Sequence, residues 1–232
     1  MKEMFARFTT LALLIIPFNI SAITALRSTE DLLNHLKLST KIKKIEHKTI
    51  KDIAFQTPLE GTIDLSYNTF ENVTFEREVK NASMIGSKFS NCIFKDAVSD
   101  SSFNQAEFNE TTFNGKVTKS KFNDIQAKAT EKKGTGITFN DAVTNASFVN
   151  DQPARAEKKL VQNLTFKGPV TKTVFDSINL KDSVFEKAVT DTSFDHAKLT
   201  DVIFTENPDT ITSSSLGKAL KSNVIVNNKK LE

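Results

Sequence analysis

Apolar residues follow a regular grid through most of this chain. Between residues 60 and 207 an apolar side chain recurs after four, five, five and five residues, and the cycle repeats with a period of 19 residues. One cycle reads Val98, Phe103, Phe108 and Phe113, and Val117 opens the next. A step of five fits neither the 3.6-residue period of a helix nor the alternation of a long strand. It predicts short strands joined by corners.

A second regularity lies two residues before most of the phenylalanines, where a small side chain recurs. Because side chains alternate along a strand, the small residue points to the same side as the phenylalanine. One large and one small inward side chain per face would fill a narrow square interior, with coils stacked about 4.8 Å apart. The pattern therefore predicts an all-β solenoid with stacks of phenylalanine along its axis.

The pentads SKFSN, SSFNQ, AEFNE, TTFNG and TSFDH combine both regularities. In these pentads the chain resembles the pentapeptide-repeat family, over roughly residues 61–207. The resemblance implies a right-handed quadrilateral parallel β-helix, here of about seven coils. One face departs from the family pattern, because it has four residues instead of five and centres on valine, as in KDAV and EKAV. A left-handed hexapeptide helix would require a period of six, which the sequence lacks.

Two cycles are longer than the others. One runs Val117, Phe122, Gly134 and Phe139, and the other runs Val143, Phe148, Val161 and Phe166. We interpret the seven and eight extra residues as insertions between the second and third positions, near residues 123–134 and 149–161. Insertions into successive repeats of a solenoid map to one face, so both are expected at the same corner.

Both insertions carry several positive charges in a similar order. QAKATEKKG occupies residues 126–134, and QPARAEKKL occupies residues 152–160. The candidate partner-binding residues are Lys128, Lys132, Lys133, Arg155, Lys158 and Lys159. Stacked on adjacent coils, these cations would recognise a protein surface or an anionic glycan, lipid headgroup or phosphate. The alternative is two solvated loops that are alike only because the repeat was duplicated.

The N-terminus predicts export. Residues 1–22 contain Lys2 and Arg7, then an apolar run, then Ser21-Ala22, which is typical of a secretory signal peptide cleaved near Ala22 or Ala25. The apolar run is too short to suggest a membrane-spanning helix. Cleavage would deliver the mature chain to the periplasm or the cell exterior.

Both ends of a solenoid expose strand edges and need covering. Residues 23–59 are predicted to form an N-terminal cap and lead-in, with a short amphipathic helix at 28–38. Residues 208–232 are predicted to form a C-terminal cap, with a helical turn followed by a strand. The alternative, which the resemblance suggests, is a segment that pairs two chains into a homodimer.

The remaining chemistry is sparse. The chain has 31 basic and 28 acidic residues, and this near balance argues against a nucleic-acid partner. Its single cysteine, Cys92, excludes an internal disulfide and fits a small buried position. His35, His47 and His196 lack the spacing of metal ligands. No catalytic, metal-binding or cofactor-binding residue is predicted.

These observations favour an exported, non-enzymatic interaction or scaffold protein, such as a secreted bacterial effector. It would bind a partner along the β-helix face or through the two basic loops. One alternative is a carbohydrate-active secreted β-helix enzyme, which would need clustered carboxylates in a groove. Another, known among pentapeptide-repeat proteins, is a topoisomerase-binding mimic of DNA, which would need a strongly negative face.

Overall fold

Short parallel strands coil around a common axis. The computed structural model describes residues 25–26, 43–59, 61, 63–128, 136–150, 160–206, 211 and 216–231. Within these ranges the chain forms a right-handed quadrilateral parallel β-helix of about 8 turns, which confirms the predicted fold class. The signal peptide at 1–22 and the helix at 28–38 lie outside the described residues. In the part of the chain that is described, no helix is long and apolar enough to cross a membrane.

Two of the four faces consist mainly of two-residue strands and bridges. Face A comprises β8 (Val79–Lys80), β12 (Val98–Ser99), β15 (Val117–Thr118), β18 (Val143–Thr144), β21 (Val170–Thr171) and β23 (Val189–Thr190). Face B comprises β2 (Lys43–Lys44), β5 (Ile63–Asp64) and β9 (Ala82–Ser83), continued by bridges through Ser102, Lys121, Ser147, Val174 and Ser193. Face A is the valine face of the sequence pattern.

The other two faces carry the longer strands. Face C comprises β1 (Ala25–Leu26), β3 (Thr49–Lys51), β6 (Thr69–Glu71), β10 (Lys88–Ser90), β13 (Glu107–Asn109), β16 (Gln126–Lys128), β19 (Leu160–Gln162), the first parts of β22 (Asn179–Phe185) and β24 (Lys198–Phe204), and β25 (Leu220–Ser222). Face D comprises β4 (Ala54–Phe55), β7 (Thr74–Phe75), β11 (Ile93–Phe94), β14 (Thr111–Phe113), β17 (Ile137–Phe139), β20 (Leu164–Phe166), the last parts of β22 and β24, and β26 (Val224–Val226).

The strand register reproduces the period of the sequence. Phe89 pairs with Phe70 in the preceding coil and with Phe108 in the following coil, each 19 residues away. On face A, Val98 likewise pairs with Val79 and Val117. Each inward side chain therefore lies directly above its counterpart, and the predicted 19-residue coil is confirmed.

Stacked phenylalanine rings fill the interior. The column on face D consists of Phe55, Phe75, Phe94, Phe113, Phe139, Phe166, Phe185 and Phe204. Neighbouring rings in this column are near-parallel, with Phe75 and Phe94 centroids 4.3 Å apart and Phe113 and Phe139 centroids 5.0 Å apart. The phenylalanine rings of face B meet this column edge-on. The ring centroids of Phe122 and Phe139, for example, lie 5.7 Å apart. Offset-stacked and edge-on pairs are the favoured aromatic geometries.

The parallel pairing extends beyond residues 60–207 at both ends. At the N-terminal end, β3 pairs with β6 and β4 pairs with β7. Leu59, rather than Glu60, occupies the first position of its cycle, because Leu59 bridges Val79 and is only 2% exposed. At the C-terminal end a 3-10 turn spans Leu216–Lys218, and β25 and β26 then add to the parallel sheets. The last strand, β27 (Lys229–Leu231), turns back antiparallel to β26.

Candidate binding surface

The two insertions leave the solenoid at different corners, and the prediction of a shared corner is wrong. In the first long cycle the third position is filled by Ala127, which pairs with Phe108. That insertion therefore follows Lys128, between faces C and D. In the second long cycle the third position is filled by Val161, which pairs with Ala127, so the insertion precedes Leu160, between faces B and C. The sequence pattern had assigned the third position of the first long cycle to Gly134, which lies outside the described residues.

The insertions thus leave from opposite edges of face C, in adjacent coils. Lys128 is the member of the predicted basic set that the structure describes, and it is exposed at the end of β16. Lys132, Lys133, Arg155, Lys158 and Lys159 lie outside the described residues. The structure therefore attaches both basic segments to face C without placing their remaining charges.

The outward positions of face C form two columns along the axis. One column holds Thr49, Thr69, Lys88, Glu107, Gln126, Leu160, Asn179, Lys198 and Leu220. The other holds Lys51, Glu71, Ser90, Asn109, Lys128, Gln162, Lys181, Thr200 and Ser222. Lysines outnumber glutamates on this face by five to two, so it is basic although the chain as a whole is close to neutral.

The two glutamates lie in the N-terminal half of face C, where lysines pair with them. Lys51 Nζ is 3.2 Å from Glu71 Oε2, and Lys88 Nζ is 3.3 Å from Glu107 Oε2. These side chains are about half exposed, so the pairs add little to stability. They do neutralise this half of the face. The positive charge is left in the C-terminal half, on Lys128, Lys181 and Lys198.

A shallow groove of about 440 Å³ opens on the N-terminal half of face C. It is lined by Thr69, Glu71, Lys88, Phe89, Ser90, Glu107, Phe108, Asn109, Gln126 and Lys128. Its side chains offer donors and acceptors and both signs of charge, beside the apolar surface of Phe89 and Phe108 and the aliphatic parts of the longer side chains. Lys128 stands at the end of the groove, where the first insertion begins.

An aromatic pair lies on the corner between faces B and C. The rings of His47 and Tyr67 stack with centroids 5.8 Å apart, and Tyr67 is 50% exposed. The Tyr67 ring lies over Gly86, where a methyl group would come within 2.7 Å of it. The sequence pattern does not reveal this pair, because corner residues fall outside the apolar grid.

Most lysines of face C lie outside the set of candidate residues that the sequence predicted. Lys51, Lys88, Lys181 and Lys198 stand directly beside the third apolar position of their cycles. That adjacency is a usable signal, because alternation points each neighbour of an inward residue outward. Collecting these neighbours over all cycles would have identified the basic face.

The described residues show no preformed metal or thiolate chemistry. Among them no group of three or more His, Cys, Asp or Glu could hold a metal ion. Burial raises the pKa of the Cys92 thiol to about 11, so the thiol stays protonated at neutral pH. The single S–H of Cys92 has two acceptors within reach, the carbonyl oxygens of Phe70 and Ser90, each 3.4 Å from Sγ. Cys92 therefore acts as a small packing residue of the interior.

No protein-family model matches the chain, and no curated protein matches it. Among solved structures, a trypsin-treated form of QnrB1, a plasmid-mediated fluoroquinolone resistance protein, is 15% identical over 79% of this chain and 86% of that chain, with a TM-score of 0.38. HetL, a pentapeptide repeat protein involved in heterocyst differentiation regulation from the cyanobacterium Nostoc sp., is 12% identical over 88% of this chain and 98% of that chain, with a TM-score of 0.30.

These scores are low, and the fold is assigned from the molecule itself. The four faces, the coil length and the parallel register confirm the pentapeptide-repeat type of fold that the pentads predicted.

Proposed function

We propose that this chain is an exported, non-enzymatic interaction scaffold that binds its partner on face C. A secreted bacterial effector or an envelope protein would have this role. One observation carries the proposal: both basic insertions adjoin face C, the face with the surplus of lysine, and the first begins at the end of its groove. Insertions of repeat proteins often lie on the binding face.

The rigidity of face C supports a binding role. Its inward residues Phe70, Phe89 and Leu180 are at most 1% exposed, and each strand of face C between β1 and β25 pairs with the coils before and after it. The outward side chains are therefore held on a fixed frame before a partner arrives. A preorganised surface loses less conformational entropy on binding than a mobile one.

The enzymatic alternative receives less support from the groove. Its two carboxylates, Glu71 and Glu107, stand in different columns and two coils apart. Each is engaged by a lysine. A glycoside hydrolase instead needs two carboxyl groups that face each other across the scissile bond. Binding is the better account of this surface.

The DNA-mimic alternative requires an extended acidic face. Face C has the opposite sign. On face B, Asp176 and Asp195 follow one another in adjacent coils, but Lys218 Nζ lies 3.1 Å from Asp195 Oδ2, and Lys121 interrupts the neighbouring outward column. We therefore do not favour a topoisomerase as the partner.

Export is the second part of the proposal. Ala25 and Leu26 form a strand that pairs with Thr49 and Ile50. Cleavage after Ala22 leaves that strand in the mature chain, whereas cleavage after Ala25 would divide it. We therefore expect periplasmic or extracellular protein that begins at Ile23, measured by cell fractionation and N-terminal mass analysis. Uncleaved protein in the cytoplasm would contradict export.

The C-terminal segment fits a cap better than a dimer interface. Its outermost strand, β27, presents the exposed side chains of Lys229 and Lys230 at an open sheet edge. Lysines on an edge strand disfavour pairing with a further strand. We therefore propose that this hairpin ends the solenoid and keeps a second copy from adding to it.

The binding surface can be tested by site-specific photo-cross-linking in the producing cells. A photoreactive amino acid at Ser90 lies in the groove of face C, and one at Thr144 on face A is the matched control. We expect a discrete adduct from position 90 that is absent from position 144. Adducts from both positions, or from neither, would contradict a protein partner in the groove of face C.

A further inference from the structure

The C-terminal half of face C combines positive charge with exposed leucines. Its outward positions hold Lys128, Lys181 and Lys198 and no acidic residue. Leu160 is 40% exposed and Leu220 is 71% exposed, and both belong to the same outward column as Lys198. A single exposed leucine is ordinary on a protein surface, and these two matter here because they share one face with three lysines.

The surrounding acidic groups do not cancel these lysines. Asp182, on the corner beside face C, lies 3.5 Å from Lys181 Nζ, and both side chains are well exposed. An exposed pair of this kind is weak and is exchanged easily for another anion. Asp201, on the same corner, accepts a hydrogen bond of 2.7 Å from Asn223 Nδ2. Three lysines thus face two aspartates, and this half of face C with its corner keeps a net positive charge.

The geometry of a sheet face makes these side chains act together. Lys128 and Lys181 are two coils apart, which is roughly 10 Å along the axis, and Leu220 lies two further coils beyond Lys181. All project from one side of one continuous parallel sheet. A flat array of cations and apolar side chains matches a flat partner that is anionic at its surface and apolar beneath.

We propose that the C-terminal half of face C docks on an anionic membrane surface. This deepens the proposed function and rests on it, because it names the partner of the same face. The lysines contact acidic lipid headgroups, and Leu160 and Leu220 enter the boundary between headgroups and acyl chains. Basic and apolar side chains on one face are the features by which proteins lie on a membrane without spanning it.

The leucines and the glutamates decide between this partner and other polyanions. A polysaccharide or a nucleic acid offers no apolar layer for Leu220. A long polyanion that continued along face C would also meet Glu71 and Glu107 in the N-terminal half. A bilayer that contacts only the C-terminal half avoids both glutamates. The observations therefore favour a lipid surface.

The test is co-sedimentation of the mature chain with vesicles. Phosphatidylcholine vesicles with and without phosphatidylglycerol are compared, and we expect binding only to the anionic ones, weakened by salt. Each lysine near an anionic surface is worth about 1 kcal/mol, or roughly fivefold in partitioning. K128E, K181E and K198E together should therefore lower binding by at least 100-fold, about the product of three fivefold losses. L220S should lower it several-fold without changing the dependence on salt.

A matched triple variant, K80E, K116E and K167E, makes the same change of charge on other faces. Because these lysines would not contact the membrane, the variant should lose only the binding that long-range electrostatic attraction supplies, to within about twofold. Circular dichroism of each variant checks that the solenoid is intact. Equal binding of both triple variants, or equal binding to neutral vesicles, would overturn the inference.

The vesicle and cross-linking results separate the two proposals. Suppose that the chain binds to no vesicle, but that the adduct at position 90 forms and is lost in the K128E variant. The membrane inference then fails, and a binding role of face C stands. If neither vesicles nor an adduct is found, both fail.

Discussion

At the residue scale, small polar side chains inside the coils hold the corners. Ser101 Oγ donates to the carbonyl oxygen of Ser99 at 2.8 Å, and Ser120 Oγ donates to that of Thr118 at 3.0 Å. The intervening residues, Asp100 and Lys119, have φ values of 49°. The hydroxyl group thus closes each left-handed corner and gives the carbonyl oxygen a second donor, because the backbone N–H groups of Asn81 and Asp100 in the preceding coils already bond to the carbonyl oxygens of Ser99 and Thr118. Cys92 makes the same contact through sulfur.

Cys92 makes stability depend on pH in the alkaline range. Its pKa is about 11 in the folded chain and near 8.5 when unfolded, so only the unfolded chain loses the proton between these values. Stability is therefore complete below about pH 8.5 and falls as pH rises toward about 11, by a total of about 3 kcal/mol. We expect this loss in urea unfolding measured at increasing pH.

Cys92→Val is the matched control for that prediction. Val73 and Val202 occupy the equivalent inner position on face D in other coils, so valine fits there. The variant should show a shallower dependence of stability on pH between about pH 8.5 and 11. Identical pH dependence in both proteins would contradict a titrating Cys92.

At the element scale, the short corner between faces D and A explains the 19-residue coil. Two coils make this corner with Gly115 and Gly168, and two others make it with Asp96 and Asp141. Asp96 Oδ1 accepts a hydrogen bond from the backbone N–H of Ala97, and Asp141 Oδ1 accepts one from Ala142, each at 2.7 Å. Each glycine lies directly over the aspartate of the preceding coil, so a methyl group at Gly115 would be 2.4 Å from the Asp96 carbonyl carbon.

Gly115→Ala tests the close approach at this corner. The added methyl group meets rigid backbone, so we expect a loss of more than about 1 kcal/mol in the free energy of unfolding. Gly217→Ala is the control, because nothing lies within 4 Å of a methyl group there. It should be neutral or stabilise by up to about 1 kcal/mol. Chemical unfolding followed by circular dichroism measures both, and equal effects would contradict the packing argument.

At the scale of the whole molecule, the solenoid needs an end. The hairpin of β26 and β27 covers the last phenylalanine, since Val226 pairs with Phe204. Removal of residues 223–232 would expose the edge formed by Ile203 and Phe204. We expect a lower melting temperature and association of the truncated chain, because an uncovered edge accepts further strands. Size-exclusion chromatography with light scattering measures the association.

A full-length variant with K229Q and K230Q accompanies the truncation. It keeps the hairpin but removes its edge charges, so it should fold with little loss of stability while associating more than the original chain. A truncated chain that remains monomeric with an unchanged melting temperature would show that the hairpin is not a cap.

The sequence by itself determined the coil, its four faces and its interior. Each inward position is specified locally, because alternation along a short strand decides which way a side chain points. Repetition of that local rule over many cycles leaves one consistent register. This is why the columns of Phe94 and Phe122 could be predicted from spacing alone, and why the all-β fold followed from them.

Only the tertiary structure decided where the irregular residues stand. Ala127 fills a position for which the apolar grid gave no large residue, and Leu59 takes a position that the strict period gave to Glu60. Pairing with the neighbouring coil sets these positions, and it does not depend on the size of the local side chain. The same pairing gathers Lys128, Lys181 and Lys198 on one face. Their proximity arises from hydrogen bonds between coils that the linear order of the chain does not display.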